Sequence, residues 1–178
     1  MTYEEAQADM RRAYYDGATG VVTSATAWLA AAIAAWTRTP QTSIVTLLVG
    51  GMLIFPVSVV LSKAVGRSGS HAKDNPLAPL AASGTAWMLL AIPIAYGAAL
   101  YRIEWFFPAM LLTIGGRYLT FPTLYGLPVY YALGAVLAVA GIALVMARMS
   151  VAAGALAGSV IEYVFGAIIF SRAKARAV

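Results

Sequence analysis

The sequence contains no cysteine and a single histidine among its 178 residues. Without thiols there is no disulfide framework and no thiolate metal site, and one imidazole cannot build a multi-histidine site, so neither a metal nor a cofactor is expected. Charge is scarce too, at 11% of residues. Of the seven acids, Glu4, Glu5, Asp9 and Asp16 fall in the first 17 residues, Asp74 in a polar linker, Glu104 in a short turn, and Glu162 alone in an apolar run. No two carboxylates converge within one run. There is no HExxH pair, no phosphate-cradling loop followed by Lys and no nucleophile elbow. His71 and Asp74 share the linker segment "GSHAKDNP", a hydrophilic loop that offers a general base no preorganisation. No catalytic residue is assigned, and an enzyme is not expected.

Apolar residues are what the chain has in excess: 61% are hydrophobic and the mean hydropathy is +0.79, more apolar surface than one soluble core of this length could hide. The lipid bilayer is the expected surrounding. Apolar runs fall at residues 18–36, 43–62, 80–100, 105–125, 127–147 and 150–170. Each is close to the ~20 residues that carry a helix across ~30 Å of hydrocarbon. The pattern predicts an all-α, polytopic bundle of six transmembrane helices over residues 18–171. An amphipathic interfacial helix over 1–17 precedes it, and a basic tail over 172–178 follows. Thr2 and Glu5 have capping-box spacing at the start of the first helix, and Gly17 is a natural stop.

The net charge of +5 does not point to nucleic acid, because the basic residues lie singly or in threes between apolar runs. They serve better as topology signals. With the N-terminus inside, the cytoplasmic side receives Arg11, Arg12, Lys63, Arg67, Lys73, Arg172, Lys174 and Arg176, and the outside only Arg38, Arg102 and Arg148. Both termini are therefore expected in the cytoplasm. No cleavable leader is expected, since the chain opens on charged residues.

Two charges do not fit a plain membrane span. Arg117 lies 12 residues beyond Trp105, and Glu162 12 residues beyond Ser150, on two runs expected to cross in the same direction. Each sits about 18 Å below the outer interface at 1.5 Å per residue. Intramembrane charges cost from ~3 to over 10 kcal/mol and normally face a cavity or one another. Matched depth predicts an Arg117/Glu162 pair, with Thr113 and Thr120 as nearby hydroxyls. Gly154, Gly158 and Gly166 share the Glu162 stripe, and Gly115 and Gly116 precede Arg117. Both sets are expected to let helices approach closely. Pro56, Pro93 and Pro122 are expected to kink or end their helices and free carbonyls near a cavity.

The segments "LLVGGMLIFP" (47–56) and "LLTIGGRYLTFP" (111–122) suggest a repeat of helical hairpins, with Met52 in the place of Arg117. Ala27, Ala31 and Ala35 offer a small-residue face for self-association as a homodimer. These features predict a small transporter or channel-like protein for an ion or solute, with Glu162 protonatable and Arg117 tuning it or touching an anion. The alternative is an accessory subunit in which the pair only stabilises packing.

The segments "EEAQADMRRAYYDG", "GGMLIFPVSVVLSK" and "YRIEWFFPAMLLTIGGRYLTF" together resemble a group of uncharacterised bacterial membrane proteins known as a domain of unknown function. The likeness covers nearly the whole chain. It implies a bacterial inner membrane and no assigned activity.

Overall fold

The computed structural model describes residues 1–177 and is all-helical, with no strand among the described residues. The helices are α1 (Tyr3–Tyr14), α2 (Ala18–Thr37), α3 (Pro40–Ala64), α4 (Ala78–Tyr101), α5 (Phe106–Tyr118), α6 (Phe121–Tyr125), α7 (Val129–Met146) and α8 (Val151–Ala177). Five helical stretches are long and apolar enough to cross a membrane: α1 with α2, α3, α4, α7 and α8.

The run expected as a fourth continuous span is broken instead. A single 3₁₀ turn, Ile103–Trp105, leads into the 13 residues of α5, and the five residues of α6 follow after Leu119 and Thr120. Pro122 occupies the first turn of α6 and has no amide hydrogen to return to Tyr118. The Thr120 hydroxyl instead donates to the Arg117 carbonyl at 2.8 Å, closing the break locally. Pro56 and Pro93, by contrast, lie inside α3 and α4, which continue through them. Residues 172–177 are not a separate tail but the last turns of α8.

The centre of the molecule is α8 packed against α2, with α2 in turn against α3, and α5 against α7 on the other side. Small residues set these distances. A Cβ on Gly158 would come 2.5 Å from Trp28 ring atoms, on Gly154 2.8 Å from Phe107, and on Gly166 2.9 Å from Val22. The stripe on α8 is therefore filled by α2 and α5. Gly115 of α5 does the same against Gly134 of α7, where a Cβ would meet the Gly134 carbonyl at 2.8 Å, whereas Gly116 faces open space. Close backbone approach of this kind is the contact by which apolar helices associate when lipid removes the hydrophobic drive between them.

The alanine face of α2 is consumed inside the chain. Ala27 and Ala31 are buried, Gly50 of α3 packs on Ala27, and the Ser43 hydroxyl donates to the Ala31 carbonyl at 2.7 Å. That face is not free for a homodimer. The hairpin repeat is likewise not matched in three dimensions: α3 is continuous and its Met52 is 77% exposed, while the corresponding helix breaks and turns Arg117 inward.

α1 starts with the Thr2/Glu5 capping box and ends in a run of three left-handed residues, Tyr15, Asp16 and Gly17. This reverses the chain tightly enough for α1 to lie against α6 and the 65–77 connection. Gln7 donates to the Thr123 carbonyl at 2.8 Å and Arg11 to the Tyr125 carbonyl at 2.6 Å, answering the open C-terminal carbonyls of α6. Asp9 accepts from the Ala72 amide at 2.9 Å and from the Asn75 side chain at 2.8 Å. The turn itself is tied to the end of α8 by an Asp16–Arg176 ion pair, the one salt bridge among the described residues. Tyr130 also donates to the Asp16 carbonyl at 2.7 Å.

Candidate functional site

α3 and α4, the outer helices of the two sides, scarcely touch each other. Between them, backed by α2 and α5, lies a cavity of about 360 Å³. Most of its wall is apolar or small: Val21, Ile54, Phe55, Ala81, Ala82 and Met88, with Gly20 leaving space where a side chain would stand. The polar residues lining it are Arg117, Tyr118, Ser24, Thr85, Ser58, Thr19 and Tyr125, together with the Tyr14 and His71 pair. No Asp or Glu lines it among the described residues.

The expected Arg117/Glu162 pair is not formed. Successive residues on a helix point about 100° apart, so Arg117 and Tyr118 of α5 face different neighbours. Arg117 turns to α4, donating to Thr85 Oγ1 at 3.2 Å and to the Met88 sulfur at 3.7 Å, and lies over the Phe121 ring at 5.6 Å. Its Nε has no partner. A guanidinium with five donors is thus left with one hydroxyl, one weak thioether acceptor and a ring face. Equal helical distance from Trp105 and Ser150 brings Glu162 to Tyr118, the residue after Arg117, and not to Arg117 itself.

Glu162 of α8 is fully buried, and Tyr118 rather than Arg117 meets it: the phenol donates to Oε1 at 3.1 Å. Oε2 has no hydrogen-bond partner, although the Ser24 hydroxyl lies beside the carboxyl. Tyr118 and Ser24 both line the cavity and therefore stand between it and Glu162. The hydroxyls expected to serve this site do not. Thr113 donates to the Ala109 carbonyl of its own helix at 2.9 Å, and Thr120 closes the α5–α6 break.

Below Arg117 lies an aromatic cluster that the sequence reading missed. Phe121 meets Tyr118 edge-on at 5.1 Å, Tyr130 stacks with Tyr118 at 6.0 Å and with Tyr125 at 5.6 Å, and Gly17 leaves room for the Tyr130 and Tyr125 rings. The signal is present as aromatics spaced three to five residues apart across the break, Tyr118, Phe121, Tyr125 and Tyr130. His71, expected as a solvated loop residue, pairs with Tyr14 across 2.8 Å at the cavity end, and its linker neighbour Asp74 takes no part in that contact. In α1, which the left-handed turn at Tyr15–Gly17 sets apart from the apolar α2, burial pushes the Asp9 carboxyl up, but the hydrogen bonds from Asn75 and Ala72 and the nearby His71 and Arg12 outweigh it and hold Asp9 below its ordinary value.

One guanidinium faces an apolar-walled space with no carboxylate in direct contact among the described residues, and a buried carboxyl, near enough to feel that charge, sits behind one phenol. A family model described as a family of unknown function (DUF7010) matches residues 3–172, and the chain belongs to that family. Neither a curated protein nor a solved structure matches it.

Proposed function

We propose that this member of the family of unknown function is a small multi-pass transport protein of the bacterial cytoplasmic membrane. It binds an anionic solute at Arg117, and Glu162, reached through Tyr118, carries a proton that accompanies the solute. The observation that carries this reading is the Arg117 guanidinium, set in the cavity with only Thr85 and Met88 to receive its donors. A cation at that depth is costly to keep unless something pairs with it.

The broken α5–α6 segment supplies the sixth crossing. Residues 106–125 reach about 30 Å at helical rise, and irregular backbone at membrane depth is tolerated where it lines a cavity, as it does in transporters built from discontinuous helices. Both termini face the cytoplasm by the excess of Lys and Arg on that side. α1 then lies on the inner surface, and the cavity end marked by Tyr14 and His71 opens there.

The test is a panel of anions, running from acetate, lactate, phosphate and sulfate to octanoate and oleate, scored by the melting temperature of purified protein. A ligand at a hundred times its Kd adds about 2.7 kcal/mol, worth roughly 5–10 °C for a chain of this size. At least one anion should produce such a shift in the wild type and not in Arg117→Gln. In proteoliposomes, uptake of that anion should acidify the lumen in the wild type and lose the accompanying proton in Glu162→Gln. Equal shifts in wild type and Arg117→Gln would sink the reading.

A further inference from the structure

We propose that the ligand of this cavity is a single-chain amphiphilic carboxylate of the inner leaflet, its head group on Arg117 and its acyl chain leaving sideways between α3 and α4. This rests on the reading of Arg117 as an anion site and adds the class of anion and its route.

The route comes from the helix arrangement. α3 packs chiefly on α2, and α4 chiefly on α5, so nothing closes the gap between them. At the level of the cavity, that gap is edged by Ile54 and Phe55 on α3 and by Ala81, Ala82 and Met88 on α4. Phe55 is 66% exposed, and with Ala82 it presents an apolar edge to the surroundings. These residues belong to the second half of α3 and the first half of α4, the halves nearest the connection that joins them. With the termini inside, the gap faces the inner leaflet. A water-soluble anion needs no such apolar doorway, whereas an acyl chain can remain in lipid while its head group enters.

The head group follows from the donors. Arg117 can offer two parallel N–H groups to a carboxylate; Thr85, which accepts one of its N–H groups, gives its own hydroxyl hydrogen to the Ala81 carbonyl at 3.1 Å. A phosphate dianion would call for a second cation, and among the described residues no Lys or Arg besides Arg117 lines the cavity; Arg11 near it donates to the Tyr125 carbonyl at 2.6 Å. Size points the same way. About 360 Å³ is at the small end of ligand pockets, enough for a head group and the first part of one chain but not for a two-chain lipid.

The experiment uses the full-length protein in nanodiscs and a fatty acid carrying a diazirine on its chain, with oleate, oleyl alcohol and butyrate as competitors. Crosslinks should map to the α3–α4 gap around Phe55 and Ala82. Oleate should compete, oleyl alcohol at least tenfold less well, and butyrate not at all. Arg117→Gln should weaken probe binding tenfold or more, which is about 1.4 kcal/mol. Gly20→Leu fills space in which a Cβ meets nothing within 4 Å, and it should abolish labelling in the gap while the protein still melts cooperatively. If Gly20→Leu does not fold, competition and Arg117→Gln decide alone. Butyrate competing as well as oleate would overturn the amphiphile and the lateral route while leaving an anion site at Arg117. Oleyl alcohol matching oleate, or full labelling of Arg117→Gln, would overturn both. Labelling spread over the exposed apolar surface and insensitive to oleate would mean adventitious lipid contact and would also overturn the proposal.

Discussion

Replacing Gly158 by alanine tests the packing on which the site depends. The added methyl would lie 2.5 Å from Trp28 Cδ2 and Cε3 and 2.9 Å from Cζ3, about 1 Å inside ordinary van der Waals contact. Trp28 cannot easily retreat. Its side chain is fully buried and packs at 5.8 Å on the Phe107 ring, and Phe107 is itself held against Gly154 of the same α8 stripe. Forcing a methyl into a filled core costs about 1–3 kcal/mol, offset by the ~0.5–1 kcal/mol a helix gains when glycine becomes alanine. Gly158→Ala should therefore lose up to about 2.5 kcal/mol, toward the upper end because the nearest atoms belong to a rigid, fully buried ring. Gly116→Ala, where the new methyl meets nothing, should be neutral or gain up to about 1 kcal/mol. Both are read from equilibrium unfolding in mild detergent or in bilayers. If Gly158→Ala matched Gly116→Ala, the close approach of α2 and α8 would be refuted, and with it the placing of Glu162 behind Tyr118.

Other outcomes follow from the same geometry. Tyr118→Phe removes the hydroxyl that donates to Glu162 and should cost about 1–3 kcal/mol of unfolding free energy. Arg117→Gln should leave stability unchanged or raise it, because a part-buried guanidinium whose buried Nε has no hydrogen-bond partner among the described residues is costly to hold. Gly17→Ala should destabilise by about 2 kcal/mol or more, since φ is +85° and the methyl would strike the Tyr130 hydroxyl and the Tyr125 ring. Asp9 ties α1 to the 65–77 connection, and its folded carboxyl titrates below the ordinary value of 3.8. Its contribution is thus complete above that value and is lost as pH falls through the lower folded one. Hydrogen exchange at the Ala72 amide should speed up only in that acid range, relative to other amides, and Asp9→Asn should loosen it at every pH.

Much of this molecule could be read without coordinates, and what could not has a physical cause. The apolar runs, the Thr2/Glu5 cap, the glycine stripe on α8 and the level of Arg117 and Glu162 all follow from spacing along one helix. What spacing does not encode is azimuth between helices. The pairing of Arg117 with Glu162 failed on the ~100° that separates Arg117 from Tyr118, and Thr113 was expected at the site although its hydroxyl is taken by the Ala109 carbonyl. The alanine face of α2 looked free because nothing in the sequence says that Ser43 and Gly50 return to cover it. The gap between α3 and α4 is a property of what does not pack, and a single sequence carries no trace of that.

The central claim is that Arg117 faces an accessible space that favours anions. The absence of cysteine from the natural sequence allows a direct test. Gly20→Cys places one thiol in that space, and its rate of modification from the cytoplasmic side is compared for a sulfonate-bearing and a trimethylammonium-bearing methanethiosulfonate. The account predicts that the sulfonate reagent is favoured, and that adding Arg117→Gln shifts the ratio of the two rates tenfold or more toward the cation. A thiol that does not react, or a ratio that Arg117→Gln leaves unchanged, would contradict it.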